Sequence, residues 1–338
     1  MIDAPPAEAL TVPDAFRAMV MERGEPVVLR GVARDWPMFA GAATPGGGLD
    51  GVVEQLKRFD AGRTAEVFVG DPAIGARYTY DEALTGFNFE RRAMPFGAAL
   101  AEILDGAGRP AASSMYMGSL PAETYLPGIE QTTRLAFVPP TVQPRIWIGH
   151  ASTVACHYDQ MDNVACVAAG RRRFTLFPPN AIHDLYVGPI DYTMAGQPIS
   201  LAVDSDRGDP RYPRFERVRD RAIVVELEPG DALYVPKLWW HKVEALGDVN
   251  VLVNFWWDAF ATGPDRPYTA MMLALLAIAE RPPAERAAWR AWFDHYVFRP
   301  DGHPLAFLPA ERHGVLGAGS KENHGRMRTM IMRLLRGG

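Results

Sequence analysis

The chain has 338 residues, 48% of them hydrophobic and 22% charged, a balance that suits a globular protein with a sizeable core and excludes intrinsic disorder. A net charge of -5 lacks the basic footprint of a nucleic-acid binder. Two cysteines, Cys156 and Cys166, are too few for a disulfide framework and point to a reduced, cytoplasmic setting; residues 1–12 lack the basic start of a secretory signal, and no apolar run is long enough to span a membrane.

Up to about residue 140, helical and strand-like segments alternate in an α+β part expected to pack on and extend the β-rich zone beyond it. Residues 12–23 are predicted to form a helix with Pro13 in its first turn and Gly24 as its stop, 26–31 a short apolar strand, 52–59 a helix, 65–70 a strand, 96–104 a helix and 114–119 a strand. Residues 141–260 are rich in β-branched and aromatic residues broken by Gly, Pro, Asp and Asn. They predict strands at 146–149, 153–159, 163–169, 172–177, 223–227, 233–236 and 249–257, a mainly β core of sandwich or barrel type with helical additions. The stretch 188–221 interrupts this core. Its polar, Pro/Gly-rich composition reads as a long loop outside the core that covers a site or binds a partner. Residues 261–338 are predicted to be helical, at 268–280, 283–297 and 321–335. The first of these is apolar nearly all round and needs burial on every side, so a homodimer through these helices is expected; padding of the β core is the alternative.

The tripeptide His157-Tyr158-Asp159 stands out in the β-rich zone. On a strand, residues i and i+2 project from one face about 7 Å apart, so an imidazole and a carboxylate enter one space. His241, flanked by Trp239 and Trp240 after a Pro229-Gly230-Asp231 turn and a strand, brings a third donor. Two imidazoles and one carboxylate leave half of an octahedral shell open, as non-haem Fe(II) chemistry requires, whereas structural zinc takes four ligands, usually with thiolates. The competing reading is a core histidine bonded to a nearby acid. His150, before a turn, is the substitute ligand to test; His183, His295, His303, His313 and His324 lie in polar or helical surroundings.

Four segments carry a resemblance: PVVLRGVARDWP at 26–37, HYDQMDNVACVAAGRRRFTLFPP at 157–179, LEPGDALYVPKLWWHKVEAL at 227–246 and VNFWW at 253–257. In this order they resemble the cupin-like branch of the JmjC Fe(II)- and 2-oxoglutarate-dependent oxygenases, the group that contains the asparaginyl hydroxylase of hypoxia-inducible factor. The resemblance implies a double-stranded β-helix (jelly-roll) core, with His157, Asp159 and His241 as iron ligands and catalytic centre. It further implies Asn163 and Asn254 in the cosubstrate pocket, and Tyr116 of SMYMGSL at the distal carboxylate of 2-oxoglutarate. Where the family has a lysine anchor for that carboxylate, this chain has Arg172, which shares strand parity with Phe174 and Leu176. Arginine can hold a carboxylate through two parallel hydrogen bonds. Just before His157, Val154, Ala155 and Cys156 replace the family's threonine and proline, so Thr153 or Ser152 is the expected source of a hydroxyl. Trp256, in phase with Asn254, is expected to share the site.

The reaction that the resemblance implies is oxidation with dioxygen, iron and 2-oxoglutarate, hydroxylating a side chain of a peptide or protein. Nucleic acid and membrane are not expected as partners. The alternatives are a metal-binding cupin without 2-oxoglutarate turnover, a catalytically silent relative, and an N-methyl-lysine demethylase.

Overall fold

A computed structural model describes residues 4–39, 48–109, 113–190 and 197–337; positions 191–196 of the interrupting stretch lie outside the described residues. Strands β1 (Val27–Leu29), β2 (Thr64–Gly70), β3 (Arg77–Tyr78), β4 (Glu90–Pro95) and β5 (Ser114–Pro121) alternate with helices α1 (Pro13–Met19), α2 (Leu49–Phe59) and α3 (Phe96–Gly106), and the short α4 (Ala122–Tyr125) follows. Strands β6 (Pro144–Gly149), β7 (Ser152–His157), β8 (Asp162–Ala169) and β9 (Arg172–Phe177) come next. After the short helix α5 (Glu216–Arg219) the chain adds β10 (Ile223–Leu227), β11 (Ala232–Val235), β12 (Trp240–Ala245) and β13 (Asn250–Trp257).

These strands form two sheets, one ordered β1-β11-β8-β13-β6-β5-β2-β4 and one ordered β10-β9-β12-β7-β3. All pairings are antiparallel except the short contact of β3 with β7. Two stacked antiparallel sheets with non-sequential strand order make the expected jelly roll. Four N-terminal strands belong to the larger sheet, so Met1–Ala259 is one compact unit.

Strand parity explains the layering. On β8 every residue is buried, because Ala165 and Val167 face the smaller sheet while Val164, Cys166 and Ala168 join Phe16, Leu56, Phe96 and Ile103 from the N-terminal helices on the other side. The inter-sheet core is completed by Phe174, Leu176, Leu227, Leu233 and Leu252. Cys156 and Cys166 are buried free thiols on different sheets, which rules out the bridge that neighbouring strands would allow.

Three expectations need correction. The interrupting stretch is not wholly outside the core: Leu185, Ala202, Phe215 and Val218 are buried against Cys156, Phe177 and Trp240. Its polar composition reflects an outer layer of ion pairs such as Arg207 with Asp220 and Arg211 with Asp209 over a few buried anchors. His241 does not end a strand; it is the second residue of β12, a strand that the local pattern of residues does not reveal. The turn Pro236–Trp239 that separates it from β11 places Leu238 at φ +68°. Finally, β7 ends at His157, so Asp159 lies beyond the strand.

The second compact unit is Phe260–Gly338, with helices α6 (Pro267–Ile278), α7 (Pro283–Phe293) and α8 (Lys321–Arg336). The helix predicted over 283–297 changes at Asp294 into a π turn and stops where Arg299 takes φ +51°. No residue of these three helices is buried, and Leu276 and Leu334 are 84% and 74% exposed. Among the described residues, no helix is long and apolar enough to cross a membrane.

Candidate active site

Between the sheets lies a cavity into which the larger sheet contributes Phe68, Tyr116, Trp147, Asn163, Asn254 and Trp256 and the smaller one His157, Arg172, Phe174 and His241, with Asp159 just past the end of β7. His157 and His241 are direct partners across β7 and β12. Their rings lie 4.4 Å apart between centroids, and Asp159 Oδ2 is 3.6 Å from His241 Nε2. Donor atoms of these three residues all lie within 4.8 Å of one another, a spacing that one metal ion can bridge.

Backbone carbonyls set the tautomers. His157 Nδ1 lies 2.8 Å from the Ala155 carbonyl and His241 Nδ1 lies 2.9 Å from that of Trp239. A carbonyl only accepts, so each Nδ1 carries the proton and donates, and each Nε2 keeps its lone pair for a metal. Burial and the neighbouring His157 push His241 down from its ordinary value of 6.5 to about 4, against the opposing pull of Asp159, so the ring stays neutral in mild acid.

The local folding that aims these groups has two parts. Between β7 and β12 the register shifts, so that His241 faces His157 while Val243 faces Val154. That is a β-bulge: one extra residue on β7 lets Val154 and His157, three apart, both line the cavity. Asp159 is held differently. The Leu238 N–H donates to the Asp159 carbonyl at 2.8 Å, so the turn before β12 grips the aspartate's backbone while its Trp239 carbonyl steers His241.

Arg172 follows a tight turn in which Gly170 takes φ +72°. Arg172 is 4% exposed, while Arg171 and Arg173 on either side reach solvent and pair with Glu226. Among the described residues its guanidinium forms no hydrogen bond and no ion pair, and Nε is buried without a partner. Burial pulls its pKa down and pushes that of the equally buried Tyr116 up, each acting on the other in the opposite sense. Tyr116 stacks on Trp147 at 5.9 Å; a Cβ on Gly118 would lie 3.1 Å from the Tyr116 hydroxyl, so glycine leaves that ring its place. Asn254 accepts from Trp147 Nε1 at 2.7 Å and donates to Asn163 Oδ1 at 3.1 Å. The Nε1 of Trp256 is a second buried donor without a partner.

Of the residues singled out in the sequence, His157, Asp159, His241, Tyr116, Asn163, Arg172, Asn254 and Trp256 line this one cavity. Thr153 does not: Val154 takes the inward position, and Thr153 is paired with Glu244 and Arg77 on the opposite parity. His150 is no ligand either, since Nδ1 accepts from the Met115 N–H at 3.0 Å and Nε2 lies 2.8 Å from the Ile103 carbonyl. Trp147 and Phe68 join the cavity without having been expected there. Trp147 sits two residues beyond Arg145 on a strand whose inward phase becomes legible only through its pairing with β13.

Comparison with known proteins agrees with this geometry. A model of the cupin-like domain family matches residues 13–263. The chain belongs to this family. Curated relatives of this cupin-like chain include the lysine-specific demethylase JMJ31 of Arabidopsis thaliana, 34% identical over 114 residues, which are 33% of this chain and 20% of the relative. HSPB1-associated protein 1 of Bos taurus is 33% identical over 148 residues, 42% of this chain and 30% of the relative. Jumonji C domain-containing protein 5 of Drosophila melanogaster is 34% identical over 122 residues, 36% of this chain and 29% of the relative. The matched stretch thus spans less than a third of the length of each of these three.

Proposed function

We propose that the cupin-like chain is an Fe(II)- and 2-oxoglutarate-dependent oxygenase that hydroxylates a side chain of a peptide or protein. The observation that carries this reading is Arg172, a buried guanidinium without a counter-ion in the same cavity as the His157, Asp159 and His241 donors. An unpaired buried cation is costly, and a bound carboxylate removes the cost. A cupin that binds metal alone has no use for it.

The donor set fits iron: His157, Asp159 and His241 would hold the ion and leave positions for a cosubstrate and dioxygen. Bound iron and 2-oxoglutarate supply the oxidising chemistry, with succinate and carbon dioxide as coproducts. The chain's own residues do the rest. Arg172 and the Tyr116 hydroxyl would receive the distal carboxylate, and the paired Asn163 and Asn254 with Trp256 would line the rest of the cosubstrate pocket. Phe68, Phe174, Trp147 and Leu252 give the cosubstrate dry walls that restrict water. The test is succinate release from 2-oxoglutarate: stimulation by Fe(II), with loss in Asp159→Ala, supports the reading, and metal-independent or absent release refutes it.

Self-association is part of the same proposal. The uncovered apolar side chains of α6, α7 and α8 favour a homodimer in which these helices pack on their copies. Sedimentation of the full chain against Leu276→Glu and Leu334→Glu checks this, with a monomeric wild type as the refuting result.

A further inference from the structure

We infer that Arg145 selects the substrate at the mouth of the cavity: the site takes an acidic side chain of a peptide and turns away methylated lysine. This rests on the oxygenase reading above.

Arg145 lies on β6 directly opposite Asn254 of β13 and in phase with Trp147 two residues on, so it shares a strand face with these two lining residues just beyond the cavity wall itself. Its guanidinium carbon stands 5.6 Å from the centre of the Trp256 ring, itself part of the cavity wall. The group is held by one residue. Arg145 Nε donates to Ser119 Oγ and Nη2 donates to the Ser119 carbonyl, both at 2.6 Å. To offer both acceptors at once, Ser119 takes φ +55°, in a bulge where the β5–β6 register shifts between Met117 and Leu120. A non-glycine residue rarely adopts that conformation, and bulges and strained residues of this kind cluster where a side chain is aimed at a ligand.

The charge so placed is not neutralised. Among the described residues Arg145 forms no ion pair, and its Nη1 has no hydrogen-bond partner. The acidic group acting on it, Glu123, is exposed and works only at longer range. A second guanidinium over a lining aromatic, Arg91 on Phe68, is by contrast paired with Glu66 at 3.6 Å. A half-buried guanidinium with free donors attracts a carboxylate through charge-assisted hydrogen bonds and repels an ammonium. Phosphates of a nucleic acid are disfavoured by the net charge of -5.

The test uses the full chain loaded with Mn(II) and 2-oxoglutarate under nitrogen. By calorimetry it is titrated with blocked pentapeptides that differ only in a central aspartate, asparagine or trimethyl-lysine. The aspartate peptide is expected to bind at least about 10-fold tighter than the trimethyl-lysine peptide. Arg145→Gln should weaken the aspartate peptide roughly 10- to 100-fold, Arg145→Glu should invert the order, and Ser119→Ala, which leaves the charge in place, should weaken it by a smaller factor. Trimethyl-lysine bound as well as aspartate by the wild type, no aspartate-peptide binding, an order unchanged in both Arg145 variants, or displacement of the peptide by a short oligonucleotide each overturns the proposal. Binding of 2-oxoglutarate, measured before each titration, separates the two failures: its absence sinks the oxygenase reading, whereas its presence with an unaltered order sinks only the role of Arg145.

Discussion

Replacing Arg172 with methionine should make the metal-free chain more stable, the opposite of what a substitution at a 4% exposed core position normally does. The side chain carries a charge into an inter-sheet layer where it meets no carboxylate and where Nε lacks any partner. Methionine keeps most of the stem's volume and removes the buried charge. Exchanges of buried ionic groups for hydrophobic ones of similar size are neutral or stabilising by about 1–4 kcal/mol, and the lower half of that range applies here because part of the guanidinium borders the cavity. The same substitution should cost about 2–5 kcal/mol in binding 2-oxoglutarate, roughly 30-fold to several thousand-fold in affinity, because the carboxylate would then be buried without its cation. Thermal unfolding of both proteins without metal reads the first effect, and unfolding with Mn(II), with and without excess 2-oxoglutarate, reads the second. Wild type should gain stability as RT ln(1 + [L]/Kd) while Arg172→Met gains almost none. A variant less stable than wild type without ligand, or stabilised equally by 2-oxoglutarate, would refute the reasoning.

Three further outcomes are expected. Lys237 ties the turn before β12 to the buried Asp162 at 3.4 Å and to Asp258, so Lys237→Met should loosen the Leu238–Asp159 grip and lower Co(II) affinity roughly 10-fold, read by the metal's visible absorption. Phe215→Ala should destabilise by about 3–5 kcal/mol in urea unfolding if the interrupting stretch is truly core, whereas a loop role predicts a change near zero. Because the folded state holds His241 near 4 while an unfolded histidine titrates near 6.5, the unfolded chain binds the extra proton first. The metal-free protein is therefore fully stabilised by this group above pH 6.5 and loses about 3 kcal/mol as pH falls to 4, which a series of melting curves would show.

The inward parity of Arg172 was legible in the sequence as local spacing, whereas the donors at 157, 159 and 241 were legible as a set through the resemblance of the segments that carry them. Period-two alternation on a strand is a property of neighbouring residues, and it sets Asn163, Ala165 and Val167 on one face of β8 and Arg172, Phe174 and Leu176 on one face of β9. Likewise the N-terminal helices and most strands were readable from apolar runs stopped by glycine and proline.

The folded chain was needed for whatever depends on pairing between distant segments. The bulge opposite His241 substitutes Val154 for Thr153 in the cavity, and no local pattern marks where an extra residue will be accommodated. The short β12 was hidden because its outward residues Lys242 and Glu244 look like a solvated loop, and only its partners β7 and β9 make it a strand. Asp159 is held at the cavity through a hydrogen bond from a turn that lies 79 residues further along, rather than by strand alternation. Arg145 gained its meaning in the same way, from Ser119 on one neighbouring strand and Trp256 on the other. Short-range periodicity marks inward side chains such as Arg172 along the chain; register between strands, which is settled only when the sheets assemble, decides which neighbours share their cavity.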